Sequence, residues 1–164
     1  MKTIIISGTP ASGKTTLGKR LAKELKFNFF DLEPILENIS EGYDRKKQCL
    51  VIDIKKLNRE VVKVLNGSKE NLVISSHLIQ HLPKKYVDLC VVTRCSDLKK
   101  LKKRLEKRGY SKKKVEENLQ CEIFGICLEE ARRMKYELLV VDTCQKMDYQ
   151  RLAEEIRKKL AKSL

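Results

Sequence analysis

Apolar residues along the chain follow two periods. Short unbroken runs rich in β-branched residues occur at Lys2 to Ser7, Leu72 to Ser75, Leu89 to Thr93 and Glu137 to Val141, with a briefer one at Asn28 to Phe30 that ends at Asp31. Such runs, bounded by glycine or polar residues, predict buried strands. Between them the spacing changes to three and four. Leu17, Leu21, Ala22 and Leu25 mark one face of a helix from Lys14 to Leu25. Leu57, Val61, Val64 and Leu65 mark another, which Asp53 can cap and Asn66-Gly67 stops. Further helices are expected over Asp97 to Lys107, over Ser111 to Arg133 with a break near Gly125, and over Met147 to Lys162. From Leu32 to Val51 the pattern is interrupted by Pro34, Gly42 and several charges, and predicts short helices joined by a mobile loop.

Strands alternating with helices throughout predict an α/β fold, a five-stranded parallel sheet with helices on both faces. The 164 residues suit one domain, and neither a repeat nor a linker suggests a second.

The first strand runs directly into Gly8-Thr9-Pro10-Ala11-Ser12-Gly13-Lys14-Thr15, a full match to GxxxxGK[ST], followed by Thr16. A strand before it and a helix after it are what this pattern needs if it is to hold phosphate rather than make a simple turn. Gly8 and Gly13 permit the backbone N–H groups to curl around an anion, and the helix N-terminus adds its own unpaired donors. Lys14 supplies a charge for the β- and γ-phosphates, and the Thr15 hydroxyl can hold Mg²⁺. The expected cofactors are ATP and Mg²⁺.

Charge enlarges this picture. There are 36 Lys and Arg against 22 Asp and Glu, a formal net charge of +14. ATP alone does not require such an excess. It fits a polyanionic partner, and it also fits the lysine-rich surface of a protein from a hot environment. The basic residues crowd Lys99 to Lys114, most of them as a solvated helix face. Arg104 and Arg108 differ from the lysines because, four residues apart, they share one helix face and offer planar, forked donors. Arg108 precedes Gly109 and so suits a closing lid that neutralises charge on a moving phosphoryl group.

The six cysteines show no CxxC spacing and read as small apolar filler, with a disulfide left open. The apolar start at Met1 to Ser7 is too short for a signal peptide or a membrane span, so a soluble, cytoplasmic protein without a membrane partner is expected.

Three segments, GTPASGKTTLGK at 8–19, SEGYD at 40–44 and RLEKRGYSKKKVEENLQCEIF at 104–124, resemble the adenylate kinase isoenzyme 6 family, in its archaeal branch. The similarity runs over nearly the whole chain. It implies a nucleoside monophosphate kinase fold with a monophosphate-binding insertion at about residues 31–54 and a short lid at about 107–117. It also implies ATP contacts from Ala11, Gly13, Lys14, Thr15 and Thr16, a lid arginine at Arg108, and AMP or another nucleoside monophosphate as acceptor. Small-subunit maturation, with a small-subunit ribosomal protein or rRNA as partner, belongs to the same resemblance.

Two departures bear on chemistry. Ser75-Ser76-His77 stands where the eukaryotic family pattern has Asp-x-His, so the metal loses an expected carboxylate, with Asp31 as a substitute. His77 is either a participant in ATP hydrolysis or a hydrogen-bonded strand-end residue. Pro34 occupies a position where an arginine for the monophosphate is expected, leaving Arg45 and Arg94 as candidates; Arg94 alternatively pairs with Asp97 or another acid. The leading expectation is ATP-to-AMP phosphate transfer with accompanying ATPase activity. Its rival is an ATPase assembly factor acting on a ribosomal protein or rRNA, and a catalytically silent RNA-binding module comes third.

Overall fold

A computed structural model describes residues 1–162. The chain runs β1 (Thr3–Gly8), α1 (Lys14–Leu25), β2 (Asn28–Asp31), α2 (Glu33–Ile39), β3 (Gly42–Asp44), β4 (Cys49–Val51), α3 (Ile54–Gly67), β5 (Leu72–Ser75) and β6 (Leu89–Arg94). It continues through α4 (Leu98–Lys107), α5 (Lys112–Ile123), α6 (Ile126–Arg133), β7 (Leu138–Asp142) and α7 (Tyr149–Lys162). Five strands form a parallel sheet in the order β2-β5-β1-β6-β7, so β1 is central and the order reverses beside it. In open α/β sheets that reversal opens a crevice at the carboxyl ends of the strands.

The period of two in β1 separates two cores. Ile5 faces one side of the sheet, packed with Ile74, Cys90 and Val92 against Leu57, Val61 and Leu65 of α3. Ile4 and Ile6 face the other, with Val73 and Val91, against Leu17 and Leu21 of α1 and Ala153 and Ile156 of α7. All three isoleucines are completely buried. Each such side chain stabilises the fold by about 1.5–3 kcal/mol relative to exposure. A third, smaller cluster joins Ala11 to Leu101 and Leu105 of α4 and Val115 of α5, seating the basic helices beside the phosphate loop.

Helix ends follow their expected chemistry. Asp53 accepts from the Lys55 and Lys56 N–H groups, Asp97 from Lys100 N–H, and Ser111 from Lys114 N–H. The expected break is present: Gly125 adopts φ +63° between α5 and α6.

Residues 32–51 depart from expectation. They form one helix, α2, and an antiparallel hairpin, β3–β4, rather than short helices joined by a mobile loop. Asp44 closes the hairpin turn by accepting from the N–H groups of Lys46 and Lys47, and Gln48 takes φ +49°. Local side-chain capping of this kind competes with helix formation. The disulfide left open by the sequence is present between Cys95 and Cys144, in the segments after β6 and β7, so these two cysteines are not apolar filler. Among the described residues no helix is long and apolar enough to cross a membrane.

Candidate active site

Between the end of β1 at Gly8 and the start of α1 at Lys14, the chain must turn sharply in a small space. Gly8 has φ +145°, and a Cβ there would lie 2.1 Å from Thr93 Oγ1 and 2.7 Å from the Thr93 carbonyl oxygen. Only glycine fits. Gly13, at φ +90°, is the N-cap of α1, and Ala11 at φ +63° is also left-handed. The loop is pinned by side chains from the neighbouring strands. Ser12 Oγ and Thr93 Oγ1 are 2.5 Å apart, Thr93 Oγ1 donates to the Ser7 carbonyl, and Thr143 Oγ1 donates to the Ser12 carbonyl at 2.6 Å.

Lys14 Nζ donates to the carbonyl oxygens of Gly8 and Thr9, both at 2.9 Å. Burial lowers its pKa to about 8, and the charge of Arg108 pushes the same way. The ammonium group is thus held inside the loop at a cost that a bound anion would relieve.

Below the loop lies a buried carboxylate. Glu122 of α5 accepts from Thr9 Oγ1 at 2.6 Å, from the Cys95 N–H at 2.7 Å and from Arg94 Nε at 2.9 Å. Arg94 is therefore held by Glu122 and is not a wall of the cleft, which settles the acid-pairing alternative with a partner other than Asp97.

A cleft of about 990 Å³ opens above the loop at the carboxyl ends of the strands. Ala11, Gly13, Lys14, Thr15 and Thr16 line it on one side, and Arg104, Arg108 and His77 reach it from others. Gly8 lies behind this wall, buried. Arg104 also donates to the Ala11 carbonyl at 3.4 Å. His77 follows β5 and is exposed at the cleft; the surrounding walls, and then the charges of Lys14, Lys114 and Arg108, lower its pKa to about 4. It is neutral at physiological pH.

Ser75 ends β5 and is paired in register with Asp31 at the end of β2; both line the cleft. Its Oγ is buried without a hydrogen-bond partner. An orphaned hydroxyl at this point fits a group that brings its own donors and acceptors, as the water shell of a metal–phosphate complex does. Among the described residues no cluster of three His, Cys, Asp or Glu can hold a metal by itself. A metal here would depend on Thr15, on phosphate oxygens and on water.

The hairpin and the turn between α4 and α5 supply the opposite wall. Tyr43, Lys47, Leu50, Tyr110, Lys114 and Asn118 face the cleft. Gln48 joins the two: its amide donates to the Gly109 carbonyl at 3.3 Å, its side-chain oxygen accepts from the Ser111 N–H at 2.6 Å, and its main-chain oxygen accepts from Lys114 Nζ. The exposed Arg45 is at the hairpin turn, outside the cleft. Thr143 and Gln145, after β7, complete the rim beside the loop.

A family profile described as an AAA domain matches residues 4–125. An adenylate kinase isoenzyme 6 homolog from Caenorhabditis elegans is 38% identical over 84% of this chain and 76% of its own. The chain belongs to the adenylate kinase isoenzyme 6 family. A relative from Methanocaldococcus jannaschii is 35% identical over 93% of this chain and 82% of its own. A shikimate kinase from Acinetobacter baumannii, at 17% identity and a TM-score of 0.57 over 99% of this chain and 94% of its own, shares the fold. As an adenylate kinase isoenzyme 6 family member, the chain is a P-loop kinase of the nucleoside monophosphate kinase family.

Sequence reasoning left several site residues unread. Gln48 and Lys114 carry no local signature, because their contacts come from distant segments. Glu122 did leave a trace: it falls on the apolar stripe Val115, Leu119, Glu122, where a charge is out of place.

Proposed function

We propose that this chain transfers the γ-phosphate of ATP to AMP, or to another nucleoside monophosphate, within a single closed cleft. The observation that carries this reading is the junction made by Gln48, which ties the hairpin to the α4–α5 turn over the same cavity that the phosphate loop lines. A phosphate site on one wall and a closable, partly apolar site on the other is the layout that direct transfer between two nucleotides needs.

In this reading the backbone N–H groups of the loop and the N-terminus of α1 bind the donor phosphates. Lys14 leaves its carbonyl partners for the β- and γ-oxygens. Thr15 would hold Mg²⁺, with Ser75 and Asp31 as candidates to bind its water, and the metal would supply charge that offsets the phosphates. Arg104 and Arg108 face the space between the two nucleotides and stabilise charge on the group in transit. Neutral His77 accepts or donates a hydrogen bond at the same point without adding charge. Residues 31–54 serve as the monophosphate-binding insertion and 107–117 as the lid. The donor base sits near Thr143 and Gln145. Mixing the protein with Mg-ATP and AMP and following ADP tests the proposal, and inhibition by a two-adenosine bisubstrate analogue tests the simultaneous occupancy of both halves.

A second reading is favoured by the composition of the acceptor half. Pro34 opens α2, and Lys47 rather than an arginine is the hairpin's cation at the cleft. Weak acceptor binding would leave water to take the phosphate, giving an ATPase whose basic α4 and α5 surface meets a small-subunit ribosomal protein or rRNA. Phosphate release that ribosomal components stimulate and AMP leaves unchanged would support this second reading over the first.

A further inference from the structure

Glu122 is the most buried acid of the fold, its side chain 2% exposed, yet it belongs to a helix that begins at the α4–α5 turn on the cleft. A buried carboxylate is retained against desolvation only where donors surround it. Here the donors come from two sides of the phosphate loop. Thr9 lies within the loop, whereas Arg94 and Cys95 lie at the end of β6.

We infer that Glu122 is a positioning residue that sets the geometry of the donor-phosphate site through Thr9. The path is short. Glu122 fixes the Thr9 side chain; the Thr9 carbonyl accepts from Ser12 N–H at 3.1 Å and from Lys14 Nζ at 2.9 Å. The orientation of this one residue therefore bears on both the curl of the loop and the starting position of the lysine. A second path runs through Arg94. With its guanidinium held by the Glu122 carboxylate and, through Nη2, by the Glu122 carbonyl at 3.0 Å, Arg94 keeps its own carbonyl aimed at the Thr143 N–H. Thr143 in turn donates to the Ser12 carbonyl and lies under Gly13.

The placement also links the loop to the opposite wall. The N-terminal half of α5 presents Lys114 and Asn118 to the cleft, and the last turn presents Glu122 to Thr9. One helix thus spans the distance from the phosphate loop to the segment clasped by Gln48.

This inference rests on the proposed phosphate-transfer reading, but its test does not need AMP to be the acceptor. Calorimetry with a non-hydrolysable ATP analogue and Mg²⁺, and separately with AMP, reads the two halves independently on Thr9→Val, Thr9→Ser and Glu122→Gln. Thr9→Val keeps shape and leaves the Glu122–Arg94 pair intact. It is expected to weaken ATP-analogue binding about two- to tenfold, the worth of one hydrogen bond, with AMP binding unchanged. Thr9→Ser restores the wild-type value. Glu122→Gln is expected to weaken the analogue at least as much, and circular dichroism confirms that each variant is folded at the temperature used. Wild-type analogue affinity in folded Thr9→Val and Glu122→Gln would overturn the inference and leave Glu122 a purely structural partner of Arg94. Failure of the wild-type protein to bind AMP would instead count against the acceptor assignment, with the donor-site comparison still readable.

Discussion

The ammonium group of Lys14 lies 2.9 Å from the carbonyl oxygen of Gly8, folded back on the loop that it serves. A phosphate bound in the loop would compete for this ammonium group. Phosphate oxygens are better partners for an ammonium group than two peptide carbonyls, because the interaction is then charge-assisted on both sides.

Proton linkage follows from this arrangement. The Lys14 pKa, lowered to about 8 by burial, rises toward its ordinary value of 10.5 when a phosphate anion arrives, so binding takes up a proton. Calorimetric titration with an ATP analogue near pH 9, in buffers of different ionisation enthalpy, is expected to show uptake that disappears in Lys14→Met. The same shift makes the free protein gain stability as pH rises from about 8 to 10.5, where the unfolded chain still binds the proton and the folded one does not.

His77 gives the matching effect in acid. Its folded pKa of about 4 lies below the ordinary 6.5, so the unfolded chain binds protons first and stability falls as pH drops from 6.5 toward 4. Thermal unfolding of His77→Asn is expected to show a shallower loss over that interval than the wild type. Identical pH profiles would mean that His77 is freely solvated.

The two arginines of the cleft are expected to differ. Arg108 ends α4 beside Gly109 at φ +72°, whereas Arg104 is anchored on the Ala11 carbonyl. Arg108→Ala is expected to lower kcat by about 10³-fold or more while leaving the KM for ATP within severalfold, as for a group that acts on charge in transit. Arg104→Ala should raise the KM for ATP as well. Steady-state kinetics on both variants separates the roles.

The Cys95–Cys144 disulfide closes 49 residues of sequence separation between the segments that follow β6 and β7. Replacing both cysteines by alanine is expected to cost about 2–4 kcal/mol of stability, measured by denaturant unfolding. Because Thr143 and Gln145 flank Cys144 at the cleft, a modest rise in the KM for ATP should accompany the loss.

The layout of the sheet was readable along the chain because its strands are unbroken apolar runs and its main helices carry long stripes. β1 and α1 bracket the phosphate loop as the spacing predicts. The hairpin was not readable. β3 is Gly42–Asp44 and β4 is Cys49–Val51, too short for a period of two to stand out, and their pairing depends on the Asp44 turn and on contacts with residues far along the chain. Glu122 shows the same limit from the other side. Its meaning depends on Thr9, 113 positions away, which no local pattern connects to it. Arg94 illustrates why position at a strand end is not enough: it sits at the carboxyl edge of the sheet, but a buried acid claims its guanidinium.

Direct phosphate transfer between two nucleotides in one cleft leaves a signature in the fate of the γ-phosphate. Incubating the purified protein with Mg-ATP carrying a labelled γ-phosphate, with and without AMP, measures it in a single step. Label is expected in ADP at a rate that depends on AMP and is abolished in Lys14→Met. Label appearing only as inorganic phosphate, at a rate indifferent to AMP, would contradict direct transfer.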